Sequence, residues 1–317
     1  MSLLPRIYTV ESVTKGHPDR VCDQIADRIL HEITSRDPGA RVAVEVFGCK
    51  GVVTIGGEVT TSTSVDYEAL AREVLQSVGY DPVEFRLHMN QQSPQIGAAV
   101  SDGGAGDQGI MYGYATADTA SHLPLGVDLA HGLTDRLETL RESGEVPWLK
   151  SDGKSQVTIR DGAPEVIVVS TQHDEGVSLQ EVRSAVLEKV ISPLTKGGLR
   201  GVAIHINPAG AWSIGGFHAD SGLTGRKLAV DGYGGILPGG GGSTHGKDNS
   251  KVDRSATHKA REVAVDLVSR GLARECLISV AYAIGVNEPV MLYAINEERQ
   301  DVTRLLDSEQ FRASNLR

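Results

Sequence analysis

The chain has 317 residues, a formal net charge of -10, 40% apolar residues and 23% charged residues, which is typical of a globular protein large enough for two or three domains. Such an acidic balance argues against a nucleic-acid-binding surface, because duplex binding needs a broad basic face. No apolar run reaches membrane-spanning length, and MSLLPRIYTV lacks the pattern of a secretory signal. The three cysteines lack CxxC spacing, which favours a reducing cytoplasm over a disulfide or zinc framework; they are Cys22, Cys49 and Cys276.

The spacing of apolar, glycine and capping residues predicts alternating helices and strands along the whole chain. In chain order these are a strand at 7–10, a helix at 18–36, strands at 41–46 and 52–62, helices at 67–78 and 128–143, strands at 156–159 and 165–171, a helix at 178–191, strands at 201–206 and 211–216, a helix at 253–270, a strand at 277–285 and a helix at 301–311.

Two stretches repeat one scheme of strand, glycine turn, strand and Ile-Gly-Gly. They are RVAVEVFGCKGVVTIGG from Arg41 and RGVAIHINPAGAWSIGG from Arg200, and SQVTIRDGAPEVIVVSTQHD is a looser third hairpin. Each predicted hairpin is followed by a helix. Repeated units of this kind predict an α+β protein whose antiparallel or mixed sheets are covered by helices.

The most distinctive stretch is the glycine loop from Gly222 to Ala256. It holds ten glycines between Gly222 and Gly246 and five spaced cations, which are Arg226, Lys227, Lys247, Lys251 and Arg254. Glycine lets backbone N–H groups approach an anion closely, and the helix that follows would turn its positive end toward the loop. We interpret the loop as a polyphosphate cradle; a flexible linker is the alternative from composition alone.

Four acidic residues and one histidine lie where they could bind a cation or an amine. His17 and Asp19 fall at the N-terminus of the first helix, where a cap and a first-turn charge are the simpler interpretation. Glu45 and Glu58 interrupt strands that are otherwise apolar. Asp107 lies in a second glycine loop and is a candidate ligand for a cation or a polar substrate group.

Known nucleotide motifs fit this sequence only formally. GAGDQG at 104–109 matches GxGxxG, but no apolar strand precedes it and no long helix clearly follows. The stretch 241–247 matches GxxxxGK, but Asp248 stands where a Walker motif needs serine or threonine. A dinucleotide fold and a Walker NTPase are therefore disfavoured, and the absence of HRD and DFG motifs excludes a protein kinase.

The order of the motifs closely resembles that of the S-adenosylmethionine synthetases from about Glu11 to Gly285. The motifs that carry the resemblance are GHPDR, GGEVTTS, QQSP, GAGDQG, KSQVT, STQH, GLTGRK, GKDNSKVDRSA and AYAIGV. The resemblance implies three similar α+β domains with pseudo-threefold symmetry, at 1–100, 105–214 and 216–317, with strands exchanged between segments. It also implies attack of the methionine sulfur on C5′ of ATP, followed by hydrolysis of the tripolyphosphate to pyrophosphate and phosphate.

The same resemblance implies the cofactors, the assembly and the roles of individual residues. We expect two Mg²⁺ ions, K⁺, a cytoplasmic location, and a homodimer with active sites at its interface, with a tetramer also open. The implied catalytic residues are His17, Lys154, Arg226, Lys227 and Lys247; ATP contacts add Asp152, Trp212, Asp220 and Ser243; methionine contacts are Glu58, Gln92, Asp107, Asp220 and Lys251; the metal ligands are Asp19 and Asp253 for Mg²⁺ and Glu45 for K⁺.

The chain also departs from the family pattern. Gln95 replaces an aspartate, the loop 97–103 is shorter, Gly153 replaces an alanine and Ala211 replaces a basic residue. We further expect a short form that lacks the family's C-terminal segment. Three alternatives stay open: a regulatory paralogue that binds ATP or adenosylmethionine, a transferase for a methionine analogue, and a tripolyphosphatase.

Overall fold

The computed structural model describes residues 2–80, 83–91, 103–195 and 198–316. Its strands are β1 (Ile7–Val13), β2 (Arg41–Cys49), β3 (Val52–Thr60), β4 (Glu84–Asn90), β5 (Gly109–Thr116), β6 (Leu149–Arg160), β7 (Ala163–His173), β8 (Ala203–Ile206), β9 (Gly222–Leu223), β10 (Glu275–Tyr282) and β11 (Met291–Asn296). Its helices are α1 (Pro18–Arg36), α2 (Tyr67–Ser77), α3 (Leu125–Glu142), α4 (Leu179–Val186), α5 (Leu228–Asp231) and α6 (Val252–Ser269), and α4 continues through a π turn at Leu187–Ile191 and a last turn at Ser192–Leu194.

Three sheets form the described part of the chain, and a long helix packs on each. The first has the order β4-β3-β2-β9, with α1 and α2 on one face. Val42 and Val44 point into that face and pack with Ile25 and Ile29 of α1 in one buried cluster. Burial along β2 alternates, as expected for a strand with one covered face, so Glu45 lies on the opposite face.

The second sheet, β1-β6-β7-β8, repeats the plan of the first. In both, an antiparallel hairpin is followed by a helix and a strand that pairs parallel to the second hairpin strand. The third sheet, β11-β10-β5, is antiparallel and packs against α6. The predicted α+β class with antiparallel or mixed sheets is therefore confirmed.

The first strand of each hairpin has a partner from a distant part of the chain. β9 completes the edge of β2, β1 completes that of β6, and β5 completes that of β10. Four of the strands in the described residues were not predicted from the sequence, namely β4, β5, β9 and β11. β4 reads EFRLHMN and has no buried residue, and β5 carries two glycines, so both lack a strong strand pattern.

The predicted strand at 211–216 is wrong, and with it the hairpin that begins at Arg200. The backbone of Trp212 exchanges two hydrogen bonds with His173, one of them through the imidazole Nε2, and Gly216 N–H donates to the Asp152 carboxylate at 2.8 Å. The side chains of His173 and Asp152 thus accept the backbone N–H groups that pairing with another strand would need. β8 pairs parallel to β7 instead.

The predicted helix at 301–311 is also wrong. That stretch contains two short 3-10 turns, at Thr303–Leu305 and Ser308–Phe311. Asp301 and Asp307 each accept a backbone N–H two residues further on, and such local bonds compete with a helix. Five helices, α1, α2, α3, α4 and α6, lie where the sequence predicts them, whereas the short helix α5 was not predicted. In the described ranges, the helices all fall short of the length and apolarity that crossing a lipid bilayer demands.

Candidate functional site

His17 is the N-cap of α1 and is almost completely buried. Its Nδ1 accepts the backbone N–H of Asp19 at 3.2 Å, so the neutral ring carries its proton on Nε2. None of the described residues offers this buried Nε2 a hydrogen-bond partner. Burial, reinforced by Lys154 and Lys227, lowers the pKa of His17 well below its usual range. The ring is therefore a neutral donor at the N-terminus of α1.

Asp19 is a buried carboxylate that gathers the cations of the GLTGRK segment. Its Oδ1 lies 2.7 Å from Arg226 Nε and accepts Leu223 N–H at 3.0 Å, and its Oδ2 accepts a short hydrogen bond from Lys227 Nζ. Burial alone would raise the pKa of Asp19, but the bonds from Lys227 and Leu223 lower it below its ordinary value. His17, Asp19, Arg226 and Lys227 thus form one group, called here the first cation group.

Asp152 and Lys154 lie on β6, beside the first cation group. Burial raises the pKa of the Asp152 carboxyl to about 6, although the Gly216 N–H and Lys154 oppose the shift. Asp152 Oδ2 accepts the Gly216 N–H, while Oδ1 is buried without a partner among the described residues. Lys154 is exposed and pairs in register with Val13 just before α1.

The 211–220 segment borders a cavity of about 590 Å³ between the first two sheets. Its lining includes Ser151, Gln172, Ile214 and Phe217. Trp212 is half-buried, and its indole Nε1 donates to the carbonyl of Ile214 at 2.7 Å. The exposed Asp220 accepts only a local hydrogen bond, from Ser221 N–H.

Lys247 and Lys251 form a second cation group with their own carboxylates at the start of α6. Lys247 Nζ lies 2.8 Å from Asp253 Oδ2, and Lys251 Nζ lies 2.8 Å from Asp248 Oδ2. Gly242 packs so closely on Asp253 that a Cβ there would lie 2.0 Å from the carboxylate carbon, which explains the glycine. Ser243 belongs to the same loop and lies against Gly225.

Both cation groups are attached to the same edge of β2. Thr224 N–H donates to Val46 O at 3.0 Å, while Val44 N–H donates to Gly246 O at 2.9 Å and Asp248 N–H to Val42 O at 3.0 Å. A β-bridge sets Lys247 opposite Ala43. One edge of β2 therefore holds both segments side by side, although they are separate in the sequence.

Glu45 and Glu58 lie on the open face of the first sheet, near that bridge. Glu58 is directly opposite Ala43, and Glu45 is opposite Gly56. Burial raises the pKa of Glu45, with Asp23 and Glu58 adding to the shift and Lys247 opposing it. Asp107 is exposed in the loop before β5, whereas Gln92, Gln95 and the loop 97–102 lie outside the described residues.

A network of charged residues joins the two groups, and sequence reasoning missed it. Asp23 and Asp27 follow Asp19 at intervals of four on α1, and they meet Arg20, His245 and Asp231. The spacing of four in a predicted helix was the available signal. Asp23, Asp231 and His245 have ligand atoms within 4.8 Å of one another. Arg20 Nη1 already lies among them, 2.6 Å from Asp231 Oδ1, so we interpret the cluster as an ion-pair network.

Family models cover almost the whole chain. Residues 5–101 match the N-terminal domain of S-adenosylmethionine synthetase, residues 102–212 match its central domain and residues 214–310 match its C-terminal domain. The class defined by fold and site is thus a three-domain α+β protein of the synthetase type, as predicted.

Curated relatives agree with this result. The chain is 46% identical to S-adenosylmethionine synthase 1 of Rhodospirillum rubrum over 94% of this chain and 83% of the relative. It is 46% identical to S-adenosylmethionine synthase of Sulfurovum sp. (90% and 80% covered) and 43% identical to that of Desulforudis audaxviator (92% and 84% covered). The chain belongs to the S-adenosylmethionine synthetase family.

Proposed function

We propose that the chain forms S-adenosylmethionine from ATP and methionine, with its phosphate chemistry at the first cation group. Family membership makes it a methionine adenosyltransferase. The observation that carries the site assignment is the convergence of Arg226 and Lys227 on the buried Asp19, beside the unpartnered Nε2–H of His17.

The reaction needs a site that stabilises a highly charged leaving group. The methionine sulfur attacks C5′ of ATP, the C5′–O bond breaks, and triphosphate leaves with the bonding electrons; it is then hydrolysed to pyrophosphate and phosphate. Fixed cations and donors that face the developing charge lower such a barrier. We assign this role to Arg226, Lys227, Lys154 and Lys247, and a hydrogen bond to a phosphate oxygen to His17.

The two predicted magnesium carboxylates have a donor set that suits a divalent cation. Asp19 and Asp253 each neutralise a predicted phosphate-binding lysine, namely Lys227 and Lys247. Carboxylate and phosphate oxygens are the ligands that Mg²⁺ prefers. Bound there, Mg²⁺ would supply positive charge at the departing triphosphate, while the lysines turn from carboxylate to phosphate. For K⁺ we propose Glu45, because burial, together with Asp23 and Glu58, disfavours the charged form of its carboxyl and a cation would offset this.

The nucleoside end is assigned to the surroundings of β6 and the 211–220 segment. The partnerless Oδ1 of Asp152 suits a hydroxyl donor such as those of ribose. Trp212 offers an aromatic face for adenine. Stacking of the two rings would contribute roughly 1 kcal/mol of binding free energy beyond that from burial of apolar area. Asp220 and Ser243 complete the proposed ATP contacts. For methionine we propose Glu58, Asp107, Asp220 and Lys251, together with Gln92.

A second copy of the chain is the proposed partner. The open face of the first sheet carries Phe47 and Leu223, which are 44% and 39% exposed, beside Lys247 and Glu45. The third sheet exposes Ile110, Met291 and Tyr293 on one face. Apolar surface next to a site is typical of an interface. We therefore propose a homodimer with active sites at its interface, a tetramer being possible, in the cytoplasm.

Incubation of the purified protein with ATP, methionine, Mg²⁺ and K⁺ tests this function. We expect one adenosylmethionine, one pyrophosphate and one phosphate for each ATP consumed. Omission of methionine is the first control, because phosphate released without it would come from ATP hydrolysis; inorganic tripolyphosphate in place of ATP is the second, because a tripolyphosphatase would cleave it yet form no adenosylmethionine from ATP and methionine. Binding of ATP without any adenosylmethionine would contradict the proposal, and light scattering of the same sample reports the assembly.

A further inference from the structure

Three aspartates on one face of α1 bind the two segments that carry the cations. Asp19 accepts Leu223 N–H at 3.0 Å, Asp23 accepts Gly225 N–H at 2.8 Å and Asp27 accepts Gly246 N–H at 2.9 Å. Residues four apart on a helix are neighbours on its surface. One helix therefore fixes the backbone just before Arg226 and Lys227 through Asp19 and Asp23 and, one turn beyond Asp23, the backbone just before Lys247 through Asp27.

His245 lies between these two attachments. Its Nδ1 is 2.6 Å from Asp27 Oδ2, its Nε2 is 3.2 Å from Asp231 Oδ2, and its side chain is 18% exposed. Asp231 donates its N–H to Lys227 O at 2.9 Å. His245 precedes Lys247 by two residues, so a single ring connects the Lys247 segment with the Lys227 segment.

The surrounding charges favour the doubly protonated ring. Asp23, Asp27 and Asp231 face it, while Arg20 approaches Nε2 to 3.2 Å and Arg254 and His258 lie nearby. Burial alone would lower the pKa of His245, but hydrogen bonds to Asp231 and Asp27 raise it to about 10. Both ring nitrogens then donate to their carboxylate partners, so the 3.2 Å approach of Arg20 Nη1 to Nε2 is a contact between two donors and not a hydrogen bond.

Backbone geometry passes this attachment on to Lys247. Gly246 has φ +69°, and a Cβ there would lie 2.2 Å from Val44 O. Its N–H donates to Asp27 Oδ1 at 2.9 Å, and its carbonyl accepts Val44 N–H at 2.9 Å. Since the peptide units on both sides of Gly246 are held by hydrogen bonds, the direction in which the Lys247 side chain leaves the backbone depends on Asp27 and on the ring that Asp27 binds.

We propose that His245 is a positioning residue for both cation groups. Its Nδ1–H fixes the Lys247 segment through Asp27, and its Nε2–H fixes the Lys227 segment through Asp231. This inference rests on the proposed function, in which those lysines bind the triphosphate.

The test compares His245→Asn and His245→Gln with wild type. An asparagine amide can keep the donor toward Asp27 and a glutamine amide can reach Asp231, but each loses the other bond and the charge. We expect kcat to fall about tenfold to a hundredfold in both variants, because small misplacements of catalytic groups cost that much. The affinity for inorganic tripolyphosphate with Mg²⁺ should fall in parallel, while KM for methionine stays near that of wild type.

His122→Asn is the matched control. His122 also has both ring nitrogens in contact, with Thr116 O at 3.0 Å and Ser269 Oγ at 3.2 Å, but it contacts none of the proposed phosphate residues. We expect this variant to keep wild-type kcat and tripolyphosphate affinity. Thermal unfolding of every variant separates a positioning effect from a loss of folded protein.

Two results would overturn the inference: kcat and tripolyphosphate affinity of both His245 variants equal to those of wild type, or losses fully explained by a lower Tm. Tripolyphosphate binding also separates this inference from the proposed function. If wild type makes no adenosylmethionine yet binds tripolyphosphate more tightly than both variants, the function fails and the positioning role stands.

Discussion

The two cation groups are neutralised in different ways. In the first, Arg226 and Lys227 share one carboxylate, Asp19, whose side chain is 1% exposed. In the second, Lys247 has its own partner, Asp253, whose side chain is 18% exposed. A buried carboxylate needs its partners far more than one that water can reach. The first group is therefore more strongly preorganised than the second, whose Lys247–Asp253 pair is partly reached by water.

Replacement of Asp19 and of Asp253 by alanine tests this difference, and the largest effect is expected on kcat. Asp19→Ala leaves Arg226 and Lys227 without their shared partner and removes a proposed magnesium ligand. We expect Asp19→Ala to lower kcat by about a thousandfold and Asp253→Ala by about a hundredfold, the scale known for loss of electrostatic stabilisation. Rates of adenosylmethionine formation across a series of Mg²⁺ concentrations provide the measurement.

The control for this pair is Asp266→Ala on α6, whose carboxylate forms an exposed ion pair with Arg270. It should turn over like wild type. Unchanged turnover of Asp19→Ala, with the fold retained, would remove Asp19 from the mechanism and the first cation group from its proposed role.

A smaller effect is expected on stability when the lysines are replaced. Lys227→Met takes one of two cations from the buried Asp19, and we expect it to lower the free energy of unfolding by about 2 kcal/mol, because a buried charge is left partly unpaired. Lys247→Met leaves Asp253 accessible to water and should cost less than about 1 kcal/mol. Urea denaturation of both variants measures the difference. Equal losses would mean that the two groups do not differ in preorganisation.

Local parts of both groups could be predicted from the sequence. Pro18 and the apolar spacing that follows it locate the start of α1, and therefore His17 and Asp19, to the residue. The glycine loop and its cations were evident from composition. Such features depend on a few neighbouring residues, which is why pattern alone suffices.

Features that depend on distant residues could not be predicted. The 211–216 segment has the composition of a strand, but His173 and Asp152 take its backbone groups. β5 completes the edge of β10 across more than a hundred residues of chain. His245 is an isolated histidine in a loop until α1 and Asp231 meet it. Tertiary contacts decide these positions, and one sequence does not contain their pairing in readable form.

The last prediction concerns Asp152, the carboxylate beside the first cation group whose Oδ1 has no partner among the described residues. Its pKa in the folded protein, about 6, lies above the unfolded value of 3.8. Between these values the native state keeps a proton that the unfolded chain releases, so stability falls as pH rises through that window. Above this pH window Asp152 is charged in both states, and the full free-energy cost of burying its charge is present.

Asp152→Asn removes this penalty, and we expect the free energy of unfolding at pH 8 to rise by about 1 kcal/mol, with no matching gain at pH 4. Urea denaturation at both pH values measures this change.

Asp161→Asn, in the exposed turn of the same hairpin, is the matched control and should not show this gain. A variant less stable than wild type at pH 8 would mean that the Gly216 N–H and Lys154 outweigh burial. A gain in stability together with a higher KM for ATP would show that the carboxylate is kept for its substrate and not for the fold.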